Sequence, residues 1–261
     1  MELIDSPQNR IPKLLRALHN KKGREEHGLA LIEGPLLVAE ALAYGRMAFV
    51  AVCPEVADPD QAENVANAAE KARVPIHVLS PRALAATSDT VSPTGIMGAA
   101  GIRAVPLAQV RLRKRGVYLV LCEVRDPGNA GTMVRTADAF GAEAIIAVGA
   151  CVDLWEPKVI RASAGAVLRV PLCEASSDEF VAWARANGAA TVAADMAGEI
   201  ALPEMQWPLR VAILVGNEAH GLPADLAQVA DARVRIPMPG RAESLNAAVA
   251  AGILLYAASL G

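Results

Sequence analysis

Short, almost wholly apolar runs recur along this chain, and longer segments compatible with helices separate them. Downstream of residue 115 the runs are GVYLVLC, AEAIIAVG, AATVAAD, RVAILVG and ARVRI. Strands that are apolar on both faces are typical of a parallel sheet covered by helices, whereas strands of a half-exposed antiparallel sheet alternate apolar with polar residues. The pattern therefore predicts an α/β domain with a parallel sheet over residues 116–261.

The same alternation occurs upstream on a smaller scale. LALIE, MAFVAVC, PIHVL and GIMGAAG are predicted to be strands, and PLLVAEAL and DQAENVANAAEKAR are predicted to be helices. These elements indicate a smaller three-layer α/β domain over residues 1–105. A basic linker over residues 106–115 would join the two domains.

The composition excludes several classes of protein. With 261 residues and a hydrophobic fraction of 53%, the chain can bury a substantial core, and an aromatic fraction of 3% favours helices packed on strands over a β-sandwich. No apolar run approaches the roughly 20 residues that a membrane-spanning helix needs, and the first ten residues carry acids in place of an apolar signal segment. We therefore expect a cytoplasmic protein with no membrane partner.

The cysteines and histidines are too scattered to predict a metal site. Cys53, Cys122, Cys151 and Cys173 form no C-x-x-C pair, and the 4 histidines show no H-x-x-x-H spacing. Zinc sites in proteins show such spacing between their ligands. We expect reduced thiols and no bound metal.

Positive charge is concentrated in two stretches of an otherwise acidic chain. The formal net charge of -3 argues mildly against a nucleic-acid partner, since phosphate binding relies on clustered cations. The two stretches nevertheless supply candidate RNA-binding side chains, namely Arg10, Lys13, Lys21, Lys22, Arg24, Arg113, Lys114 and Arg115. A solvated helix face and a solvated linker explain these cations equally well, and neither stretch distinguishes RNA from DNA.

Three loops that follow predicted strands carry candidate site residues. Ligands of parallel sheets bind beyond the carboxyl ends of the strands, so such loops meet at one edge. In the first loop, DPGN is predicted to be a turn before a helix whose buried face holds Met133, Ala137 and Phe140. Asn129 would lie at the entrance of this helix and Arg135 in its next turns, close enough to border one pocket. A turn residue and an exposed helix arginine are the alternative.

The second loop, GNEAHGLP, begins at Gly216 and places Glu218 between two glycines. Glycine permits close approach of a ligand to the backbone, and a carboxylate there would bind a hydroxyl or a cation; a solvated turn residue is the alternative. The third loop, IPMPGRAESLN, ends with Ser244 and Asn246, where an apolar helix begins. Both residue types favour helix caps, so capping and chemistry are both open for them.

The three loops together resemble a known family. DPGNAGTMVRTADAFGA, LVGNEAHGL and IPMPGRAESLNAAVAAGILLY, in this order and at these distances, resemble the three motifs of the SpoU (TrmH-like) RNA ribose 2′-O-methyltransferases of the SPOUT superfamily. The motifs are specific as a set and lie within residues 117–261. Upstream, EGPLLVAEAL and its basic preface are similar to the L30e-like substrate-binding domain that many rRNA-directed members carry, although this likeness is less specific.

This resemblance implies a fold, an assembly and a cofactor. The family threads its C-terminal region into a trefoil knot, which topology rules do not predict, and it forms a homodimer with each site at the dimer interface. S-adenosylmethionine lies inside the knot and is held largely by backbone groups, which explains why no G-x-G-x-x-G motif is present. Carried over to this sequence, the cofactor contacts fall at Gly216, Ile236, Met238 and Leu245.

The resemblance also assigns Asn129, Arg135, Glu218, Ser244 and Asn246 to the reactive ribose. Methyl transfer from a sulfonium to a 2′-hydroxyl is an in-line displacement, in which the hydroxyl is aligned and loses its proton. Arg135 matches the family's proposed base. Because arginine is almost always protonated, we expect it to stabilise oxyanion charge or the adjacent phosphate, with deprotonation left open. Asn129 and Glu218 would orient Arg135 and the ribose, and Ser244 would cap the last helix and line the site.

The predicted function is therefore methyl transfer from S-adenosylmethionine to a ribose 2′-hydroxyl of RNA. The L30e-like domain favours 23S ribosomal RNA as the substrate. A non-catalytic RNA-binding protein on the same fold and a tRNA 2′-O-methyltransferase are the alternatives. A small-molecule α/β enzyme is a weaker alternative, because it would not need the two basic stretches.

Overall fold

The computed structural model describes residues 2–218 and 220–260, and the chain divides into two compact units. The first comprises the residues up to Ile102 together with Trp155–Leu168, and the second comprises Arg103–Leu154 together with the residues from Arg169 onward. The division into functional domains at 1–105, 106–115 and 116–261 stays a prediction. The compact units differ from it because Trp155–Leu168, a segment from the middle of the chain, packs with the first unit.

The first unit is built on a five-stranded sheet of order β1-β4-β3-β5-β2, in which β5 runs antiparallel to both of its neighbours. Its elements before residue 103 are β1 (Leu3–Ile4), α1 (Arg10–Ala17), α2 (Lys21–His27), β2 (Leu29–Glu33), α3 (Pro35–Ala43), β3 (Met47–Val52), α4 (Pro59–Ala72), β4 (Ile76–Leu79), α5 (Pro81–Ala85) and β5 (Ile96–Gly101). Leu15 and Leu18, on and directly after α1, pack with Leu31 and Phe49 of the sheet in one core. The predicted smaller α/β domain is confirmed.

The two helices α1 and α2 cross closely because Gly23 has no side chain. A Cβ at this position would lie 2.1 Å from the carbonyl oxygen of Ala17. The next residue, Arg24, is buried and donates from Nη1 to the carbonyl oxygens of Leu18 (2.8 Å) and His19 (3.0 Å). Arg24 therefore satisfies the carbonyl groups that follow α1.

The second half of the chain supplies a seven-stranded sheet of order β10-β12-β9-β11-β6-β7-β8, and every pair in it is parallel. The elements are β6 (Gly116–Cys122), α6 (Pro127–Ala139), β7 (Ala144–Val148), α7 (Pro157–Ala162), β8 (Leu172–Ala175), α8 (Ser177–Ala186), β9 (Ala190–Ala194), β10 (Ile200–Ala201), β11 (Arg210–Val215), α9 (Ala224–Val229), β12 (Ala232–Arg235) and α10 (Ala247–Leu260). Of these, α7 belongs to the first unit. The predicted parallel sheet is confirmed.

Strand β6 shows why the sheet is parallel and central. Successive residues of β6 point to opposite faces, and Tyr118, Leu119, Val120 and Leu121 are all fully buried. Both faces therefore need apolar cover, which the flanking helices provide. Strand β11 lies beside β6 over its whole length, from Arg210 to Val215.

Helix α10 covers part of this sheet and packs on α6. The contact is close at Gly252, where a Cβ would lie 3.4 Å from the side chain of Thr136, and the rings of Phe140 and Tyr256 lie 5.7 Å apart. The side of α10 that carries Gly252 and Tyr256 is nevertheless apolar and partly exposed, with Val249 50%, Tyr256 53% and Leu260 70% accessible. This exposed apolar face, which also contains the half-buried Ile253, is called the α10 face below.

One local prediction was wrong, and three short strands were not predicted. DPGN was predicted to be a turn before a helix, but α6 already begins at Pro127, because Asp126 caps it and proline suits the first helical position. The short strands β1, β8 and β10 were not predicted, because β1 and β10 have only two residues each and β8 carries Glu174 among its four. Within residues 2–218 and 220–260, no helix is long and apolar enough to cross a bilayer.

Candidate active site

Three loops meet at one edge of the parallel sheet. They follow β6 (residues 123–126), β11 (residues 216–222) and β12 (residues 236–246), and parallel strands place their carboxyl ends on the same side. Side-chain hydrogen bonds connect them, because Asn217 of the second loop bonds to Glu123 of the first, and Asn129 at the start of α6 bonds to the second and third loops. The predicted convergence is confirmed.

A chain of hydrogen bonds runs from the start of α10 to a carboxylate, and we call it the amide relay. The Oδ1 of Asn246 accepts from the backbone N–H groups of Ala248 (2.9 Å) and Val249 (3.2 Å). The Nδ2 of Asn246 donates to Oδ1 of Asn129 at 2.9 Å. The Nδ2 of Asn129 donates to Oε1 of Glu218 at 2.6 Å. Every donor points the same way, from the positive end of the helix towards the negative side chain.

The direction of the relay fixes both amide orientations. The two N–H groups at the start of α10 demand an oxygen from Asn246, so its Nδ2 must face Asn129. Because the Nδ2 of Asn246 is a donor, it faces the Oδ1 of Asn129. The Nδ2 of Asn129 therefore faces Glu218. The structure thus brings together Asn129, Glu218 and Asn246 of the predicted ribose site.

The cap of α10 is Asn246 and not Ser244. Ser244 is exposed and lies in the loop, three residues before the first helical residue, Ala247. An N-cap residue directly precedes the helix, and its side chain reaches the second or third backbone N–H group, as Asn246 does. The expectation that Ser244 caps this helix is therefore wrong.

The backbone of Asn129 is held by Asp126, a residue that was not predicted to belong to the site. The Oδ1 of Asp126 accepts from the backbone N–H of Asn129 at 2.7 Å, which caps α6. The Asp-Pro pair before an apolar helical pattern is a known start signal, and it would have identified Asp126. Its carboxylate fixes the backbone from which the Asn129 side chain reaches the relay.

The second loop depends on the absence of a side chain at Gly216. A Cβ there would lie 2.3 Å from the carbonyl carbon of Gly221 and 2.5 Å from the nitrogen of Leu222. Asn217 and Gly221 exchange two backbone hydrogen bonds of 2.9 Å, so the loop folds back on itself. The glycine at 216 is therefore required by the loop's own backbone, and its contact with the cofactor stays a prediction.

Arg135 is not one of the hydrogen-bonded residues of the relay. It is exposed on α6, six residues after Asn129. Six residues along an α-helix correspond to a rotation of about 240° and a rise of roughly 9 Å, so the two side chains leave the helix in different directions. Among the described residues, no hydrogen bond or ion pair joins Arg135 to the relay. That Asn129 and Arg135 border one pocket stays a prediction.

The predicted cofactor contacts lie in the second and third loops. Gly216 is buried, and Ile236, Met238 and Leu245 are half-buried. Within the part of the chain that is described, the backbone of residues 237–245 forms no hydrogen bond with another backbone group. These peptide groups are available to a ligand, and the half-buried apolar side chains offer it an apolar lining. The third loop therefore fits a cofactor that is held by backbone groups.

The thiols near the site are not reactive. Burial raises the pKa of Cys122, at the end of β6, well above its usual range, and burial likewise raises the pKa of Cys151. The Cys151 Sγ also lies 3.1 Å from the carbonyl oxygen of Leu121, to which it donates. Both thiols stay protonated at neutral pH, and thiolate chemistry is not available at this site.

The candidate RNA-binding cations differ in exposure. Arg10, Lys13, Lys21 and Lys22 are exposed on α1 and α2, and Arg113, Lys114 and Arg115 are exposed before β6. Arg113 pairs through Nε with Oε1 of Glu143 at 3.1 Å. Arg24 is only 3% exposed and faces carbonyl oxygens, so we withdraw it from the RNA-binding set. In the described residues, no group of His, Cys, Asp and Glu side chains is arranged to hold a metal ion.

Comparison with known proteins decides the family. The model of the SpoU rRNA Methylase family matches residues 116–256, which include all three loops. The chain belongs to the SpoU rRNA methylase family. A second family model, the MRM3-like substrate binding domain, matches residues 9–98. The resemblance stated from the motifs is thereby confirmed for both parts of this SpoU protein.

Relatives of similar length support the assignment. The chain is 32% identical to the 23S rRNA (guanosine(2553)-2′-O)-methyltransferase of Bacillus subtilis, over 98% of each protein. Among solved structures, an AdoMet-bound rRNA methyltransferase from Sinorhizobium meliloti is 35% identical with a TM-score of 0.88, covering 98% of this chain and 97% of that one. The SpoU methyltransferase AviRb of Streptomyces viridochromogenes, in complex with AdoMet, is 26% identical with a TM-score of 0.86, covering 97% of each chain.

Proposed function

We propose that this SpoU protein transfers a methyl group from S-adenosylmethionine to a ribose 2′-hydroxyl of 23S ribosomal RNA. The observation that carries the proposal is the amide relay, which joins α6 to the second and third loops and ends on the Glu218 carboxylate. Relatives whose names state 23S rRNA 2′-O-methylation, among them the Bacillus subtilis protein, support the choice of substrate. The exposed cations of α1 and α2 would contact its phosphates.

The relay prepares the site for the ribose before the substrate binds. Its groups are held by one another and by the start of α10, so they do not need to reorganise when charge develops on the attacking oxygen. Asn129 and Glu218 would orient the 2′-hydroxyl, and Ser244 of the third loop would line the site. The carboxylate of Glu218 is the group of the relay that can accept a hydrogen bond from the hydroxyl proton.

The cofactor site would be formed by Gly216, Ile236, Met238 and Leu245, with peptide groups of the third loop as the polar contacts. When bound, the cofactor supplies an electrophilic methyl group on a sulfonium. The residues of this chain align the ribose oxygen in line with that group and keep the second and third loops closed around it. No metal takes part in the proposed mechanism.

The active assembly would be a homodimer formed through the α10 face. Three exposed apolar side chains, Val249, Tyr256 and Leu260, recur on one side of α10, and an apolar surface of this kind favours burial against a partner. Arg135 adjoins Thr136, which contacts α10 at Gly252, so Arg135 borders the same region. We propose that Arg135 serves the relay of the partner subunit, where its guanidinium would stabilise the oxyanion or the adjacent phosphate.

Two further statements belong to the proposal. The C-terminal region would be threaded into a trefoil knot, supported by the third loop, which leaves β12 and returns to α10 beside α6 and β11. The protein would act in the cytoplasm, where its proposed ribosomal substrate is made.

Single-turnover transfer from tritiated S-adenosylmethionine tests the proposed function. Protein in excess is mixed with unmodified 23S rRNA, 16S rRNA or a tRNA pool, and the labelled nucleotide is mapped as a 2′-O-methyl mark. We expect label in 23S rRNA at one ribose, with chelator making no difference. Label confined to tRNA would contradict the substrate assignment. Tight RNA binding without any transfer would favour a non-catalytic RNA-binding protein on the same fold.

A further inference from the structure

A hydrogen bond connects the first two site loops directly, in addition to the one from Asn129 of α6 to Glu218. The Nδ2 of Asn217 donates to the carbonyl oxygen of Glu123 at 3.0 Å, between residues 94 apart in the sequence. This bond is part-buried, whereas the bond from Asn129 to Glu218 is exposed. Water competes with an exposed hydrogen bond, so the part-buried one holds the distance between the loops more firmly.

The rest of Asn217 is used to close its own loop. Its backbone exchanges two hydrogen bonds with Gly221, and its Oδ1 accepts from the backbone N–H of His220 at 3.3 Å. These contacts would remain if the amide nitrogen were lost. The donation to Glu123 therefore serves to connect the two loops, and it is separable from closure of the second loop.

The acceptor residue is itself held in an unfavourable conformation. Glu123 has a φ of 54°, although it is not glycine, and its N–H donates to the carbonyl oxygen of Val148 at 3.0 Å. A left-handed backbone is unfavourable for a residue with a side chain, because its Cβ approaches the following carbonyl oxygen. Such strain persists where the surroundings enforce it, and here it directs the Glu123 carbonyl towards Asn217.

We infer that Asn217 is a positioning residue for methyl transfer, an inference that rests on the proposed function. Glu218 follows Asn217 directly in the chain, so fixing Asn217 against the end of β6 fixes where Glu218 can meet Asn129. Asn217 itself need not touch substrate. It acts through Glu218 by setting the separation of the loops after β6 and β11.

A double-mutant cycle tests this inference. Single-turnover rates on 23S rRNA are measured for wild type, Asn217→Ala, Glu218→Ala and the double variant. We expect Asn217→Ala to slow transfer about tenfold in the wild-type background and less than about twofold in the Glu218→Ala background, because coupled residues are not additive. The dissociation constant for S-adenosylmethionine should change less than about threefold. Equal slowing in both backgrounds, or none, would overturn the inference.

Two controls separate positioning from general loss of structure. Asn187→Ala removes a comparable bond, from Nδ2 to the carbonyl oxygen of Trp183 at 2.8 Å, and should leave the transfer rate unchanged. Asn217→Asp keeps the acceptor for His220 but loses the donor, so it should be as slow as Asn217→Ala; a wild-type rate would contradict the inference. It also replaces Asn217→Ala if that variant does not fold.

A substrate-independent measurement distinguishes failure of the inference from failure of the proposed function. Hydrogen exchange of peptides covering residues 123–129 should rise in Asn217→Ala and stay near wild type in Asn187→Ala, since only the former releases the first loop. Unchanged exchange in Asn217→Ala would count against the inference even if wild-type protein transferred methyl groups. If Asn217→Ala shows the expected rise in exchange but the wild-type protein transfers no methyl group, the proposed function is contradicted instead.

Discussion

At the scale of single residues, the relay explains why amides occupy two of the site positions. An asparagine is both a donor and an acceptor, so Asn246 can cap a helix and still donate to Asn129. The loops predicted which residue types meet at this edge. They did not predict the pairings, which join residues 89 and 117 apart and depend on side-chain conformations in three separate loops. For the same reason the cap was assigned to Ser244.

Asn246→Asp separates capping from the relay. Aspartate caps helices as well as asparagine does, so the melting temperature should stay within about 2 °C of wild type. A carboxylate cannot donate to Asn129, and we expect the transfer rate to fall roughly 10–100-fold as the preorganised hydrogen bonds are lost. Asn9→Asp is the matched control, because Asn9 caps α1 in the first unit through a bond of 3.0 Å to the N–H of Ile11. Wild-type turnover in Asn246→Asp would show that the relay is dispensable.

Arg135→Ala tests the proposed charge stabilisation. Transfer should slow by roughly 10²–10⁴-fold, the range expected for loss of an acid–base or charge-stabilising group. Arg135→Lys should recover little, because an ammonium does not reproduce a planar guanidinium that binds phosphate and hydroxyl together. Cofactor affinity by calorimetry and dimer mass by light scattering should remain near wild type. A rate within about threefold of wild type would make Arg135 an ordinary surface arginine of α6.

At the scale of elements, long apolar strands and helices were predictable and close crossings were not. β6 and β11 are apolar on both faces, and this pattern alone indicates a parallel sheet. The crossing of α1 and α2 requires Gly23, but a glycine in a basic helical segment gives no signal of tertiary contact. Arg24 was likewise assigned to the RNA surface, because its charge is visible in the sequence and its carbonyl partners are not.

Gly23→Ala should destabilise the first unit. The added Cβ would lie 2.1 Å from the backbone oxygen of Ala17, so α1 and α2 must separate. We expect a loss of about 1–3 kcal/mol in unfolding free energy, the usual cost of an overpacked contact. Gly101→Ala is the control, since its Cβ would lie at an ordinary 3.8 Å from the Arg46 carbonyl oxygen. Urea unfolding followed by circular dichroism compares the two, and equal midpoints would contradict this account of the crossing.

At the scale of the whole molecule, the segment Trp155–Leu168 comes from the second half of the sequence but belongs to the first compact unit. It follows β7 in the chain but packs with the first unit, where α7 contacts β2. Val159, Ile160, Val167 and Leu168 are buried there. Neither spacing nor composition could predict that this segment packs with the first unit, because the sequence pattern of an apolar helix does not depend on which core the helix joins.

Removal of residues 1–105 should therefore uncover apolar surface as well as remove RNA-binding cations. Each uncovered side chain forfeits about 1.5–3 kcal/mol of burial, so we expect the truncated protein to associate and to bind a hydrophobic dye. Replacing Val159, Ile160 and Val167 by serine in the truncated protein should restore a defined dimer. Size-exclusion chromatography with light scattering measures both the association of the truncated protein and the recovery of the dimer. A monodisperse truncated protein without dye binding would show that the segment folds against the second unit alone.

The assembly itself is tested by combining two subunits that are each impaired by a different substitution. In a dimer whose sites take the relay from one chain and Arg135 from the other, pairing Arg135→Ala with Asn246→Asp rebuilds one intact site. Half of the dimers in an equal mixture are mixed, so activity should recover to about a quarter of wild type, as two-fold symmetry requires. A mixture of wild type with the double variant Arg135→Ala/Asn246→Asp measures subunit exchange, because its activity falls as mixed dimers form. If each chain used its own Arg135, every site in a mixed dimer would carry one defect. No recovery in fully exchanged dimers would then place Arg135 and the relay in the same chain.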